Sequence, residues 1–250
     1  MSLKTALGID FGGSGIKGSP VDITSGKLLE ERYRIPTPEP STPEAVAKTI
    51  KELVKHFKWK GIVGCGFPAV VQNGIVRSAA NIDKSWVNID ARKLFSETTK
   101  LPVWVANDAD VAGLAEVKFG AGAGFKGAIV VLTIGTGIGS SLFIKGKLYP
   151  NTELGHLEFK GMDGETYASD AARKRENLDW ATWGKRLNEY ISFIEFLFGP
   201  ELIILGGGAS KKLDLFKDQL NLKAKVVPAK FLNEAGIIGA AIAAKVNLKK

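Results

Sequence analysis

The segment "LGIDFGGSGIKG", residues 7–18, places an aspartate and four glycines directly after an apolar run. Glycine leaves the backbone N–H groups of a turn unshielded, so a turn rich in glycine can hold a phosphate or another anion. Ser14 and Lys17 add a hydroxyl and a positive charge to such a turn. Three of the glycines also fit G-x-G-x-x-G, the dinucleotide-binding fingerprint. The stretch therefore predicts anion binding, in one of several kinds of site.

The residues after these glycines argue against two of those kinds. A dinucleotide fingerprint must open a helix, because the pyrophosphate rests on the N-terminus of that helix. Here Pro20 would break such a helix, and the sequence alternates as a strand does. A P-loop needs a lysine followed by serine or threonine, whereas Lys17 is followed by Gly18. Two interpretations of the stretch remain: an ordinary glycine turn and a hairpin that binds an anion.

A second glycine turn, "LTIGTGIGSSL" at residues 132–142, repeats the plan of the first. Two such turns, one in each half of the chain, indicate a phosphate site more specifically than one turn does. A third stretch, "GGGAS" at residues 206–210, either admits a purine or its phosphates close to the backbone or is an ordinary strand-to-helix turn. The candidate phosphate- and nucleotide-binding residues are Gly12, Gly13, Ser14, Gly15, Lys17, Thr133, Gly135, Thr136, Gly137, Gly207, Gly208 and Ala209.

The elements around these turns follow one order in both halves: apolar strand, glycine turn, two further strands, helix, strand, helix. In the first half Ser41 is the predicted N-cap of the first helix, with Glu44 completing its capping box. Asn73 and Gly74 predict a hairpin. In the second half we expect a long helix over 179–198, a helix from about 210 and a last helix from about 233.

The repeated plan predicts an internal duplication, with two similar α/β domains that face each other across a cleft, where ligands tend to bind. We place a small domain at residues 1–106 and a large domain at residues 107–232. The C-terminal helix, about 233–248, is expected to pack back on the small domain.

The composition of the chain limits the classes of function that it can have. The formal net charge of +8, from 34 Lys and Arg against 26 Asp and Glu, predicts attraction to anions. No aromatic-interleaved basic strip or base-reading helix motif supports a nucleic-acid partner. The single cysteine, Cys65, excludes a disulfide framework and a cysteine zinc site, and its apolar surroundings predict an inert buried thiol. Without a signal peptide or an apolar run of about 18 residues, a cytoplasmic protein with no membrane partner is expected.

Several segments carry a resemblance to a known family. The three glycine stretches resemble the phosphate-1, phosphate-2 and adenosine segments of actin-like sugar kinases. "ANDAD" at 106–110, "ELGHLEF" at 153–159 and "NEAGIIGAA" at 233–241 resemble the ROK group of bacterial glucokinases. Over almost the whole chain the sequence is similar to the polyphosphate glucokinases and polyphosphate/ATP glucomannokinases of that group.

This resemblance implies an actin-like ATPase fold of two ribonuclease-H-like domains. It also implies transfer of a phosphoryl group from inorganic polyphosphate, and from ATP, to the 6-hydroxyl of glucose. Mannose is a further expected acceptor, and a homodimer is expected.

The resemblance assigns roles to polar residues outside the glycine turns. Asp108 directly follows the strand "PVWVA", at the carboxyl end where α/β active sites lie, and would be the general base. By its position alone it could equally be a helix N-cap. Asn107 would hydrogen-bond the sugar, Glu153 and His156 would bind the hexose, and Asn81 would contact the sugar from a loop of the small domain. The second acidic sugar ligand is Glu158, with Glu165 as its rival.

The resemblance also implies Mg²⁺ as a cofactor beside Asp10. One carboxylate suffices, since Mg²⁺ takes its other ligands from phosphates and water. The cysteine-rich zinc motif that the wider ROK group carries after "GH" is absent, so no zinc is expected and His156 is not carried over as a zinc ligand. Candidates for a basic track that holds a long polyanion are Arg77, Lys84, Arg173, Lys174, Arg175, Lys211 and Lys212.

Three other functions compete. The first is a strictly ATP-dependent ROK hexokinase acting on glucose, mannose or another hexose. The second is a sugar-responsive repressor, which would need a DNA-binding domain before the strand that begins at residue 5. The third is an actin-like, ATP-driven binding module, in which "ND" and "ELGH" would have no role. The helical stripe from Trp180 to Leu197 predicts a core or subunit interface rather than a ligand site.

Overall fold

The computed structural model describes residues 4–80 and 82–248. The strands are β1 (Thr5–Gly12), β2 (Gly15–Asp22), β3 (Lys27–Leu28), β4 (Tyr33–Ile35), β5 (Val63–Phe67), β6 (Val71–Gln72), β7 (Ile75–Val76), β8 (Val103–Asn107), β9 (Ala128–Ile134), β10 (Ile138–Ile144), β11 (Lys147–Tyr149), β12 (Glu158–Phe159), β13 (Met162–Asp163), β14 (Leu202–Gly206) and β15 (Lys225–Pro228). The helices are α1 (Pro43–His56), α2 (Ala91–Thr99), α3 (Asp108–Phe119), α4 (Gly164–Ala168), α5 (Asp170–Arg175), α6 (Trp180–Phe198), α7 (Gly207–Ser210) and α8 (Ala235–Asn247).

The chain divides into two compact units. Unit 1 comprises residues 1–115 and 234–250, and unit 2 comprises residues 116–233. This division falls inside α3, so Asn107 and Asp108 belong to unit 1. The domain limits 1–106 and 107–232 stay a prediction. Within the described residues, no helix is long and apolar enough to cross a membrane.

The main sheet of unit 1 has the order β3-β2-β1-β5-β8, and β4 also pairs with β2. β1 and β2 are antiparallel, whereas β5 and β8 run parallel to β1. β5 is buried along its whole length, as expected for a parallel strand covered on both faces. The predicted third strand is thus divided into β3 and β4, which pair with different parts of β2.

The sheet of unit 2 has the corresponding order β11-β10-β9-β14-β15. β9 and β10 form the antiparallel hairpin, and β14 and β15 run parallel to β9. The duplicated plan predicted from the sequence is confirmed by this shared order. A core around α6 includes the buried Trp183, Leu187, Tyr190, Ile191 and Ile194. Most of the predicted α6 stripe is therefore core, while Leu197 at its end keeps 46% of its surface exposed.

Two glycines allow α8 to lie against the unit 1 sheet. A Cβ on Gly8 would fall 1.9 Å from the backbone oxygen of Ile237, and one on Gly64 would fall 1.8 Å from that of Ala240. Since neither position has room for a side chain, the helix backbone rests directly on β1 and β5. The contact fixes the N-terminal turn of α8 near the carboxyl end of β1, where Asp10 lies.

Local predictions are confirmed at some positions and wrong at others. Asn73 and Gly74 have positive φ angles of 55° and 89° and join β6 to β7, as predicted. The N-cap of α1 is Thr42 rather than Ser41, because the Ser41 hydroxyl instead accepts the N–H of Asp83. The helix predicted from about 210 is wrong. α7 ends at Ser210, whose hydroxyl donates to the Gly207 carbonyl and competes with the helical bond.

The close packing of α8 on β5 gives a prediction for Gly64→Ala. The added methyl must displace the Ala240 carbonyl, so we expect unit 1 to lose about 3 kcal/mol of unfolding free energy. Cys65, the neighbouring residue and the single cysteine, is fully buried, so its alkylation under native conditions reports the opening of this sheet. The alkylation rate should rise about a hundredfold. Gly13→Ala, at a position with open space, is the control, and equal rates in both variants would contradict the prediction.

Candidate functional site

The carboxyl ends of the parallel strands in unit 1 meet at one edge of the sheet. Asp10 pairs in register with Gly66 of β5, and Gly66 pairs with Ala106 of β8. Asn107 and Asp108 follow Ala106 at the end of β8 and the start of α3. The register therefore puts Asp10 and the Asn107–Asp108 pair at the same edge, the usual location of α/β active sites.

Asp10 is a mostly buried carboxylate in a positive environment. Its side chain is 20% exposed, and Lys17 Nζ lies 3.6 Å from its Oδ2. Burial raises the pKa of Asp10, and the charges of Lys17 and Arg32 act in the opposite direction. Gly236, in the first turn of α8, lies so close that a Cβ there would be 2.8 Å from the Asp10 carboxyl carbon. The positive end of the α8 dipole thus also favours a negative charge here.

The glycine turn between β1 and β2 has its carbonyl groups bonded by the protein. The Thr37 hydroxyl donates to the Gly12 carbonyl at 2.6 Å, and the Arg34 guanidinium donates to the Ser14 carbonyl. Carbonyl oxygens would repel an approaching anion, so bonding them makes the turn more favourable for one. Between them, Gly13 has open space where a side chain would be and no positive φ. Nothing in the described protein therefore demands a glycine at residue 13, whereas a ligand close to the backbone would.

Asn107, and not Asp108, is the N-cap of α3. Asn107 Oδ1 accepts the N–H of Asp110 at 3.0 Å, so Asn107 caps α3. Its Nδ2 donates to the Ala69 carbonyl at 3.1 Å, and the residue is 4% exposed. Asp108 Oδ1 accepts the N–H of the adjacent Ala109 at 2.8 Å. Asp108 is therefore not the N-cap, and its partly exposed carboxylate lies in the first turn of the helix. Asn81, the predicted loop contact, lies outside the described residues.

The glycine turn of unit 2 joins β9 to β10. Gly135 donates its N–H to the Gly137 carbonyl at 2.9 Å, and the Gly135 carbonyl accepts the N–H of Ala171 at 3.1 Å. Thr133 is partly buried at the end of β9, and Thr136 is exposed. As in the first turn, carbonyl oxygens are bonded within the protein, and Gly135 has open space where a side chain would be.

The "GGGAS" stretch lies beside this second turn. Gly206 pairs in register with Thr133, and the next residue, Gly207, packs so tightly that a Cβ would fall 2.4 Å from the Ile134 carbonyl oxygen. Gly208 faces open space, whereas Ala209 is buried. The structure thus brings the predicted phosphate-2 and adenosine segments together within unit 2.

The "ELGH" segment forms a second polar group in unit 2. His156 Nδ1 lies 2.9 Å from Asp163 Oδ2. This hydrogen bond raises the pKa of His156, and the charges of Glu165, Asp163 and Glu153 raise it further. Desolvation raises the pKa of Glu153, as does Glu165, while His156 lowers it. These shifts indicate that Glu153, His156 and Glu165 are close enough to interact.

Glu165 links this polar group to the second glycine turn. Its Oε2 accepts the N–H of Ile138 at 3.0 Å. A Cβ on Gly137 would lie 2.3 Å from the same oxygen, and one on Gly155 would lie 3.3 Å from it. Glu158, the first choice for a second acidic ligand, is exposed on β12 and has no such contacts among the described residues. The structure therefore places Glu165, and not Glu158, with Glu153 and His156.

Buried aromatic residues hold this group in place. The Tyr190 hydroxyl of α6 donates to the Leu154 carbonyl, and its ring packs under Gly164. Burial raises the pKa of Tyr190, so this hydroxyl keeps its proton. Trp183 Nε1 donates to the carbonyls of Ala168 and Ser169, each at 3.1 Å. α6 thereby supports both the "ELGH" segment and the α4–α5 connection.

A model of one protein family, described as "ROK family", matches residues 6–169, which is more than half of the chain. The chain belongs to the ROK family. The membership predicted from its motifs is confirmed.

Several proteins are similar to this chain over almost its whole length. The polyphosphate glucokinase of Mycobacterium tuberculosis (strain CDC 1551 / Oshkosh) is 46% identical over 96% of this chain and 91% of its own length. That of Mycobacterium leprae (strain TN) is 45% identical over 97% of this chain and 75% of its own length.

Solved structures of ROK proteins share the fold. The inorganic polyphosphate/ATP-glucomannokinase from Arthrobacter sp. strain KM has a TM-score of 0.92 and 50% identity, covering 98% of this chain and 99% of its own. A ROK family glucokinase from Streptomyces griseus, in complex with glucose and AMPPNP, has a TM-score of 0.81 and 25% identity, covering 97% and 100%. The predicted fold class, two α/β domains of the actin-like ATPase type, is confirmed.

The structure also reveals polar residues that the sequence reading missed. Arg34 and Thr37 bond carbonyls of the first glycine turn that lie 20 and 25 residues away in the chain. Asp163 meets His156 because β12 and β13 form a hairpin, in which Glu158 pairs with Asp163. Lys160 and Gly161 have positive φ angles of 53° and 79°, so "KG" is the one local signal that would have predicted this hairpin.

Most of the predicted basic track is engaged elsewhere. Arg173 and Lys174 both pair with Asp170, and Arg175 pairs with Glu176. Arg77 donates to Asn88, and Lys84 donates to the Ala79 carbonyl. Lys211 and Lys212 are exposed on unit 2.

The His156–Asp163 pair predicts a pH dependence. Because the carboxylate favours the imidazolium, the pair stabilises the fold below the ordinary histidine pKa of 6.5 and loses this contribution as pH rises through the raised value. In Asp163→Asn, the pKa of His156 should fall towards 6.5, as followed by NMR titration of the ring. The chain has two histidines, so His156→Gln assigns the signals and His56 is the internal control. An unchanged His156 titration would contradict the pairing.

Proposed function

We propose that this ROK protein is a polyphosphate glucokinase, which transfers the terminal phosphoryl group of inorganic polyphosphate, and also of ATP, to the 6-hydroxyl of glucose. One observation carries the proposal: Glu165 accepts the N–H of Ile138 at the end of the second glycine turn, and its charge acts on Glu153 and His156. Groups suited to sugar hydroxyls are thereby built next to a turn suited to phosphate. The near full-length similarity to the mycobacterial polyphosphate glucokinases supports polyphosphate as donor and glucose as acceptor.

In the proposed reaction Asp108 is the general base. Its carboxylate accepts the proton of the 6-hydroxyl while the hydroxyl oxygen attacks the terminal phosphorus. The bond from that phosphorus to the bridging oxygen breaks, and the donor leaves shortened by one phosphate, or as ADP when ATP is used. The cap formed by Asn107 fixes the first turn of α3 and with it the position of Asp108. Asn107 remains a proposed sugar ligand, because it directly precedes Asp108 at the same edge of the sheet.

In this proposal the sugar is bound by Glu153, His156 and Glu165. A buried hydroxyl must find a partner, and carboxylates and an imidazole supply strong ones. Asp163 holds Nδ1 of His156, so Nε2 is the ring atom left to meet a hydroxyl. We take Glu165 as the second acidic ligand in place of Glu158, because its Oε2 lies close to Gly155 and its charge acts on Glu153 and His156.

The donor is proposed to lie along the glycine turns. Gly13, Gly135 and Gly208 have neither positive φ nor crowding, so ligand approach is the reason we give for glycine at these positions. The residues of the "GGGAS" stretch would admit the purine when ATP is the donor.

Asp10 fits the proposed Mg²⁺. It is one carboxylate at the edge that carries Asp108, and no group of three or more His, Cys, Asp or Glu in residues 4–80 and 82–248 is arranged to hold a metal ion. Such an ion would take its remaining ligands from phosphate and water, as Mg²⁺ does in other kinases. When bound, Mg²⁺ neutralises charge on the donor phosphates. Mannose as a second acceptor and a homodimeric assembly stay predictions.

A donor assay tests the function. Purified protein with glucose and Mg²⁺ is offered polyphosphate or ATP in separate reactions, and glucose 6-phosphate is measured. We expect product from both donors, while Asp108→Asn should lower turnover by about 10²–10⁴-fold, which excludes a contaminating kinase. Product from ATP alone would instead favour the strictly ATP-dependent hexokinase, and no product from either donor would refute the kinase.

The two candidate acidic ligands form a matched pair of variants. Glu165→Gln should raise the KM for glucose about tenfold to a hundredfold, because it weakens charge-assisted hydrogen bonds to the sugar. Glu158→Gln changes the same side chain in the same way at an exposed site and should leave this KM within about twofold. Steady-state kinetics at saturating donor measures both. The reverse ranking would restore Glu158 as the ligand.

A further inference from the structure

The edge of unit 1 carries a row of charges that the sequence did not reveal. In the antiparallel ladders, Asp10 of β1 lies opposite Lys17 of β2, and Lys17 lies opposite Arg34 of β4. Residues that are directly opposite in such ladders point to the same face of the sheet. Asp10, Lys17 and Arg34 therefore form one row across three strands, with Arg34 on the strand farthest from Asp10.

This row has more positive than negative charge. Lys17 pairs with Asp10, and the charge of Arg32 also acts on this carboxylate. Neither Arg32 nor Arg34 has a carboxylate oxygen within 4.0 Å in the part of the chain that the structure describes. The row itself thus holds one carboxylate and two cations, and the surplus of positive charge attracts an anion.

Arg34 is held against the first glycine turn. Its guanidinium donates to the Ser14 carbonyl, and a Cβ on Gly15 would fall 2.4 Å from Nε. A side chain at residue 15 would have to displace this guanidinium. A guanidinium has five N–H donors, so one bond to a carbonyl leaves most of its donors for a ligand. The side chain is exposed and bonds Ser14, the residue after Gly13, where the turn has open space.

We propose that Arg34, together with Lys17, binds the non-transferred phosphates of a linear inorganic polyphosphate. The proposal rests on the proposed function and deepens it by assigning the donor path. Asp10 marks the end of the row where phosphoryl transfer takes place. Neighbouring strands lie about 4.8 Å apart, so Arg34 lies about two strand spacings away and meets a phosphate farther along the donor. Arg32 extends the positive charge from the residue before β4.

The form of this surface favours a polymer over a nucleotide. β4 is a short outer strand, and its cation faces solvent rather than an enclosed pocket. A chain with a negative charge on every unit can continue past Lys17 along such an edge, whereas the phosphates of ATP end at the adenosine. The contacts should therefore contribute more for long polyphosphate than for tripolyphosphate or ATP.

Equilibrium titration without glucose tests the assignment independently of turnover. For Arg34→Gln, the Kd of long-chain polyphosphate should rise about tenfold to a hundredfold, as expected for lost charge-assisted bonds. The Kd of tripolyphosphate should rise less, and that of ATP less than threefold. Arg34→Lys keeps the positive charge but loses the planar guanidinium, which can bind a phosphate through two N–H groups. Its Kd for long-chain polyphosphate should lie between those of the wild type and Arg34→Gln. Lys51→Gln removes an exposed positive charge that lies on α1. This variant is the matched control and should leave every Kd unchanged.

Three results would overturn the proposal. They are an unchanged polyphosphate Kd in Arg34→Gln, an equal loss in Lys51→Gln, or an equal loss for ATP and long-chain polyphosphate. The last result would mean that Arg34 only supports the turn. Wild-type protein that binds long-chain polyphosphate through Arg34 but forms no glucose 6-phosphate would refute the proposed function and leave this assignment intact.

Discussion

The hydrogen-bonded register of the central strands is the constraint on which the candidate site depends. In unit 1 the register places Asp10 opposite Lys17 on one side and Gly66 on the other. Because side chains alternate between the faces of a strand, a shift of one residue would turn Asp10 towards the core and bring Ile9 or Phe11 to its place. In unit 2 the same kind of register puts Thr133 beside Gly206 and so joins two glycine segments. The glycines tolerate this geometry, but the ladders determine it.

The two glycine turns resemble each other in how their carbonyl groups are bonded. In unit 1 the donors come from Arg34 and Thr37, and in unit 2 they come from Ala171 and from Gly135 of the turn itself. A turn that binds an anion must direct N–H groups towards it and keep carbonyl oxygens occupied. The two units occupy these carbonyl oxygens with unrelated residues. The turns occupy corresponding positions in sheets of the same strand order, although the groups that bond them differ.

The polar group around Glu165 depends on packing as much as on polarity. Tyr190 and Trp183 of α6 donate to backbone carbonyls beneath it, and both are fully buried. These bonds hold α4 and the "ELGH" segment against α6. The hairpin of β12 and β13 then brings Asp163 to His156. The aromatic stripe of α6 is thus remote from sugar chemistry but positions the residues that we assign to it.

The sequence by itself determined the fold class, the duplicated strand order, the family and the stretches that hold its motifs. These features are encoded locally, since strand alternation, Pro20 after the first glycines and the order of the motifs can be read along the chain. The sequence did not determine whether Asn107 or Asp108 caps α3, or whether Glu158 or Glu165 joins His156. It also gave no sign that Arg34 lies against Gly15. Only the tertiary structure decided these points, because each depends on a hydrogen bond or contact whose geometry is set by strand register and packing.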